Sequence, residues 1–250
     1  MRIKRMRISR KLSEKYGLSV RTAKQYIRDG AVTVGGQTVT KDLDDDSDPV
    51  LTAAAERPEV NPADYIVREF ENLVFFDKPA FMHTDLQKPD DPLTMHDVLA
   101  AFSPDFEFIS RLDYTTDGVI CAVRKDFFVF ETKKVYLAFV DGEMKEKTVM
   151  DNLIDADKKK KVRVLDEPGG YKTVFTPLSF ENGRTLVQAE IEKAARHQLR
   201  AYLAHLGHPI VGDALYGGSE HTRIMLHCRE TYVNRFPGIS KLTEKFSCFK

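Results

Sequence analysis

From Leu73 onward the apolar residues of this chain fall in strand-length runs, which confines its larger part to a sheet. Leu73, Val74, Phe75 and Phe76 form a continuous apolar run, the pattern of a buried strand, and Pro79 ends its ladder behind Asp77 and Lys78. Residues 134–142 alternate, with Val135, Leu137 and Phe139 on one face and Tyr136, Ala138 and Val140 on the other. Residues 176–193 read as a hairpin turning at Asn182-Gly183, the strongest short hairpin signal. The best helix opens within residues 193–200. Its apolar stripe is Leu199, Tyr202, Leu203 and Leu206, and Gly207 stops it.

Composition narrows the class. Of 250 residues, 42% are hydrophobic and 30% charged, ordinary for a soluble globular protein. No apolar run approaches the ~20 residues needed to span a bilayer. The basic N-terminus has no apolar stretch behind it and does not read as a signal peptide. Cys121, Cys228 and Cys248 lack CxxC spacing, which points to a reducing cytoplasm without structural zinc. Cys121 and Cys228 read as small core residues.

The formal net charge of zero hides a split: residues 1–41 carry +9 and residues 42–59 carry −6. That asymmetry fits a basic binding module followed by an acidic linker. Ile8, Leu12 and Tyr16 mark a first helix stopped by Gly17. Ser19 caps a second helix with an apolar stripe of Val20, Ala23 and Ile27 and a cationic stripe of Arg21, Lys24 and Arg28. Residues 32–34 and 37–39 then flank a Gly35-Gly36 hairpin signal. The cationic face either grips phosphates, with strong salt dependence, or is a solvated basic surface. Asp44, Asp45 and Asp46 read as a solvated loop rather than a cation site, and residues 53–64, with Pro58 and Pro62, as linker. Lys158 to Lys161 form a basic strand tip, a solvated turn or a contact for RNA backbone.

The chemistry-bearing stretch is Arg111-Leu112-Asp113-Tyr114-Thr115-Thr116-Asp117-Gly118, set between apolar runs at 106–109 and 119–123. A carboxylate and a guanidinium at a strand end are costly unless paired or used. Asp113 is therefore either a reacting group or a turn cap, with Asp117-Gly118 as the turn. Lys78 stands at a strand end, facing a cleft or the surface, and Tyr136 can simply bury its ring with the hydroxyl at the rim. Arg196 and Arg200, four apart at a helix N-terminus that favours anions, mark a place for phosphate or carboxylate. His197, His205 and His208 lack metal-ligand spacing. The chain carries no P-loop or dinucleotide fingerprint, and its histidines and cysteines do not read as a metal cluster.

Several segments resemble the RluA-type pseudouridine synthases. Residues 111–118 are similar to that family's RLDxxTSG signature, and residues 196–218 to its long run around HQ(I/L)R. Residues 134–142 are similar to its K-x-Y-x-A-x-V-x-G strand, residues 73–79 to its opening strand, and residues 223–228 to RLMLHA. Residues 6–50 resemble the S-four-like RNA-binding domain, with Gly36 where Asn is usual and Arg10-Lys11 where Leu-Asp is common.

The resemblance implies an α+β fold: a mixed, mostly antiparallel sheet as catalytic domain (67–250), behind a small α/β RNA-binding module (1–52) and a linker (53–66). It implies that Asp113 is the catalytic residue and that Arg200 pairs with it, an opposite charge that favours the ionised carboxylate. Tyr136 would stack on the flipped base and could act as a general base, and Leu226 would pack beneath that base. Lys78, Arg111, Arg196, His197 and Gln198 would contact substrate; Arg21, Lys24 and Arg28 would hold RNA. Asp117 is left as the turn residue. Two departures stand out: Ala80-Phe81 replaces Ala-Gly, and Ala194-Ala195-Arg196 replaces Gly-Arg-Thr, moving the arginine by one position. The expected reaction is isomerisation of uridine in ribosomal or transfer RNA by a cytoplasmic monomer without cofactor. Flipping the uridine out of its stack costs roughly a few kcal/mol. The alternative is an inactive RNA-binding or ribosome-associated protein on the same fold.

Overall fold

The computed structural model describes residues 6–16, 18, 20–51, 58–87, 91–155 and 160–240. The expected stop at Gly17, the cap at Ser19, linker residues 53–57, and Lys158 and Lys159 of the basic tip lie outside them. The chain divides into two compact units, Met1–Asp64 with Met82–Asp105 and Tyr65–Phe81 with Phe106–Lys250. The boundary expected near residue 66 is thus crossed by residues 82–105, which return to the first unit.

The first unit opens with β1 (Met6–Arg7), α1 (Ile8–Tyr16), α2 (Val20–Arg28), β2 (Val32–Val34), β3 (Gln37–Thr38), β4 (Asp44–Asp45) and β5 (Pro49–Leu51), and adds α3 (Met95–Phe102). β3, β2 and β5 form one antiparallel sheet, and β1 pairs with β4. Ile8, Leu12, Leu18, Ala23, Tyr26, Ile27 and Val32 make its core. The buried stripe of α2 is Thr22, Ala23, Tyr26 and Ile27, so the expected Val20 stays exposed. Thr22 is accommodated because its hydroxyl donates to the Leu86 carbonyl at 3.1 Å.

The acidic segment is not a spacer. Asp42 accepts the Ser9 backbone N–H at 3.0 Å and its hydroxyl at 2.8 Å, satisfying an orphan donor of the first turn of α1 from far along the chain. Arg7 meets Asp44 at 3.4 Å, Lys15 meets Asp48 at 2.6 Å and Lys24 meets Asp42 at 3.9 Å. In α3 the Asp97 carboxylate accepts the Thr94 N–H at 2.8 Å, closing a capping box.

The second unit is built on β6 (Ile66–Phe70), β7 (Leu73–Lys78), β8 (Phe106–Phe108), β9 (Asp117–Arg124), β10 (Thr132–Asp141), β11 (Thr148–Asp155), β12 (Arg163–Glu181), β13 (Arg184–Ile191), α4 (Gln198–His205), β14 (Leu226–Val233) and β15 (Phe236–Ile239). The sheet order is β11-β12-β13-β10-β14-β9-β7-β6, with β8 beside β9 and β15 beside β14. Among the described residues every pairing of this sheet is antiparallel except β14 with β9. This is the mixed, mostly antiparallel sheet expected of an α+β domain. Leu73, Phe75, Val119, Cys121, Val123 and Val233 pack one core cluster of it. The Asn182-Gly183 turn, with φ of 51° and 75°, joins β12 to β13.

The helix α4 begins only at Gln198, later than the residue pattern predicts. The Gln198 carboxamide oxygen accepts the Ala195 N–H at 2.7 Å, while its Nε2 donates to the Tyr171 carbonyl at 3.0 Å and the Thr173 hydroxyl at 2.8 Å. These bonds hold residues 194–197 in an irregular turn ending at His197, whose φ is +57°. No helix among the described residues is long and apolar enough to cross a membrane.

Candidate active site

Strand register lays down the floor of the site. Lys78 on β7 opposes Gly118 on β9, Gly118 opposes Cys228 on β14, and Cys228 opposes Tyr136 on β10. Directly opposed residues share a face, so these four form one row across four strands. Ala138 and Leu226, opposed two residues along, extend the row. The register of β10 against β14 shifts between Val135 and Tyr136, an irregularity of the bulge kind beside this row. Glycine is required at 118. Its φ is +114°, and a Cβ there would lie 2.1 Å from the Cys228 carbonyl oxygen.

Asp113 is held by the loop between β8 and β9, where its carbonyl accepts the Thr116 N–H at 3.1 Å. Arg200, in the first turn of α4, donates from Nη1 to Asp113 Oδ2 at 3.1 Å. Its remaining edge grips Asp213 in two bonds, Nε to Oδ2 at 2.7 Å and Nη2 to Oδ1 at 2.8 Å. The Asp213 side chain is 1% exposed, that of Arg200 12% and that of Asp113 34%. One guanidinium is therefore locked from behind by a buried acid and presents its front to an accessible one.

The guanidinium also lies 5.2 Å from the Tyr216 ring centroid. The Tyr216 hydroxyl accepts the Val162 N–H at 3.0 Å and lies 3.2 Å from His197 Nδ1. His197 Nε2 is 3.8 Å from the same Asp113 Oδ2. Among the described residues Asp113 Oδ1 takes no such contact. One oxygen is fixed and the other is available.

Charge under the floor is arranged by burial. Burial lowers the Lys78 ammonium to about 8, against the pull of Asp117 and Asp113, which raise it. Lys78 Nζ donates to the Pro79 carbonyl at 3.0 Å. Burial pushes the Tyr136 phenol well above its ordinary range, and Cys228 and Asp113 push the same way. The phenol is thus protonated at neutral pH, with its hydroxyl engaged by Cys228. Burial lowers His197, with Asp113 opposing and Arg200 and Arg196 adding to the shift, so its imidazole is neutral near pH 7.

Asp117 is no turn residue. It opens β9 with its side chain 6% exposed, 2.8 Å from Arg223 Nη1 and 3.2 Å from His227 Nδ1. Burial would raise its carboxyl, but hydrogen bonds from His227 and Arg223 outweigh burial and the net direction is down.

The structure thus brings Asp113, Arg200, His197, Tyr136, Lys78 and Leu226 together within one unit. Gln198 is 2% exposed with its amide used inside the fold, so it shapes the loop that carries His197 rather than reaching out to a substrate. Arg111 and Arg196 are exposed beside the site, and Arg21, Lys24 and Arg28 line the exposed side of α2 in the first unit. The pattern of residues did not reveal Asp213 and Tyr216 as partners of Arg200. The available signal was an acid and an aromatic within the same run of residues 196–218, brought back to α4 by a loop with positive φ at Gly207 and Gly212.

A family model described as RNA pseudouridylate synthase matches residues 72–205. An uncharacterized RNA pseudouridine synthase of Helicobacter pylori is 30% identical over 236 residues, covering 88% of this chain and 90% of the relative. The dual-specificity RNA pseudouridine synthase RluA of Vibrio cholerae is 30% identical over 194 residues, covering 69% and 78%. The ribosomal large subunit pseudouridine synthase D of Xanthomonas campestris is 28% identical over 171 residues, covering 62% and 52%. Among solved structures, human RNA pseudouridylate synthase domain containing 4 shares the fold with a TM-score of 0.57 at 20% identity, over 74% of this chain and 91% of that one. Human RNA pseudouridylate synthase domain containing 1 gives 0.56 at 20% identity, over 73% and 84%.

Proposed function

The chain belongs to the RNA pseudouridylate synthase family, and we propose that Asp113 is the catalytic residue with which it isomerises uridine in ribosomal or transfer RNA. The observation that carries this is the Asp113 carboxylate, 34% exposed and tied through one oxygen to Arg200, close enough to Tyr136 and Lys78 for its charge to act on both. Isomerisation breaks the bond from ribose C1′ to N1, turns the uracil, and joins C5 to C1′. The C5 proton is lost and N1 gains one, so atoms balance without redox chemistry. A turning base needs an apolar platform and a single fixed charge beside it, which Tyr136 and Asp113 supply. Arg200 keeps Asp113 aimed, and Asp213 keeps Arg200 aimed.

The ribosomal and transfer RNA reading draws on the names of the relatives. One is named for the ribosomal large subunit and another for dual specificity. In the same reading the first unit's residues 1–52 act as an S-four-like RNA-binding module through Arg21, Lys24 and Arg28, and the protein works as a cytoplasmic monomer. Mapping pseudouridines in RNA from cells with and without the gene tests the reading. The expected result is the disappearance of one or a few positions in ribosomal or transfer RNA. Unchanged maps in both classes would contradict it.

A further inference from the structure

Two exposed aromatics stand at the rim of this site, one of them next to Asp113. Phe81, three residues beyond the end of β7, is 50% exposed, and Tyr114, next to Asp113, is 42% exposed. Their rings meet edge to face, 5.9 Å apart at 69°. The Phe81 N–H donates to the Tyr114 carbonyl at 2.7 Å, which ties the pair to the loop that carries Asp113. Phe81 sits at φ +62°, a left-handed conformation that glycine adopts without cost and a bulky residue adopts against steric clash. Neither burial nor backbone preference explains an aromatic at this position.

We propose that Phe81 and Tyr114 form a stacking platform for the nucleobase adjoining the target uridine. The inference rests on the reading of the site as an RNA uridine isomerase. When a uridine leaves its stack to reach Asp113, the base beside it loses a neighbour. An aromatic face one residue from Asp113 replaces that neighbour, and every base has a π face to offer. The platform therefore selects uridines whose neighbour is already unstacked, in loops or single strands, and favours a purine for its larger face. It is a specificity device, separate from the groups that act on the uridine itself.

The test uses two single-stranded nonamers of uridine, each with one 2-aminopurine, placed before or after the central uridine. The 2-aminopurine fluorescence is quenched when its ring stacks. With the intact chain, one probe is expected to be quenched on binding. Phe81→Gly should abolish the quench and raise Kd by about tenfold or more, while the melting temperature holds or rises because glycine suits the backbone. A merely structural Phe81 would lower melting temperature and affinity together, and that result would overturn the platform. So would quenching that survives the combined Phe81→Gly and Tyr114→Ala substitutions. A chain that releases tritium from C5-labelled uridine in RNA but quenches neither probe overturns the platform alone. A chain that neither binds the probes nor releases tritium overturns the isomerase reading, and the platform falls with it.

Discussion

Arg200 serves two carboxylates, and the difference between them defines the site. Asp213 is buried and gripped by two bonds; Asp113 is accessible and held by one. Asp213→Asn should therefore leave a buried guanidinium undercompensated, costing about 3 kcal/mol of stability in urea unfolding and lowering turnover by roughly tenfold or more as Arg200 loses its aim. Tyr136→Phe is expected to separate ring from hydroxyl. Because the phenol is held protonated, the variant should keep turnover within about a hundredfold of the parent, short of the loss expected for a true general base. Single-turnover rates on one RNA check both. Arg200 and Asp113 were legible in the sequence because both sit in dense motifs. Asp213 and Tyr216 were not, because their role depends on how a loop returns to α4, which no local pattern encodes. Asp117 was misread for a related reason: its partners Arg223 and His227 lie more than a hundred residues away.

Strands β7, β9, β10 and β13 were legible as elements from their apolar runs and the Asn182-Gly183 turn. Their register was not, since register is set by cross-strand packing rather than by any one strand's pattern. The short parallel contact of β14 with β9, His227 with Asp117 and Cys228 with Gly118, places the row beneath the site. Gly118→Ala should strain both φ and the contact with the Cys228 carbonyl, costing more than about 2 kcal/mol in thermal unfolding and lowering activity in parallel. The acidic segment shows the opposite failure. Its composition read as a linker, but Asp42, Asp44 and Asp48 fold onto Ser9, Arg7 and Lys15. Charge composition alone does not distinguish a spacer from a strand that neutralises its neighbours.

For the molecule as a whole, the buried Lys78 gives stability a pH signature. Its pKa is about 8 in the fold against 10.5 for an ordinary lysine. Between those values the unfolded chain binds more protons, so this group makes stability rise with pH, by about 3 kcal/mol in all, and the gain is lost as pH falls through 8. Cys121, pushed up to about 12 from 9, works in the opposite sense at higher pH. The readout is therefore the difference between the parent chain and Lys78→Met in urea unfolding at pH 7.5 and 10, which should show the rise in the parent only. The central claim is that one chain, with Asp113 as its reacting group, turns uridine into pseudouridine in RNA. Tritium release from RNA labelled at C5 of uridine measures it most directly, with RNA affinity followed alongside. The parent chain should release tritium, and Asp113→Asn should bind RNA nearly as well and release none. Near-normal release by Asp113→Asn would contradict the account.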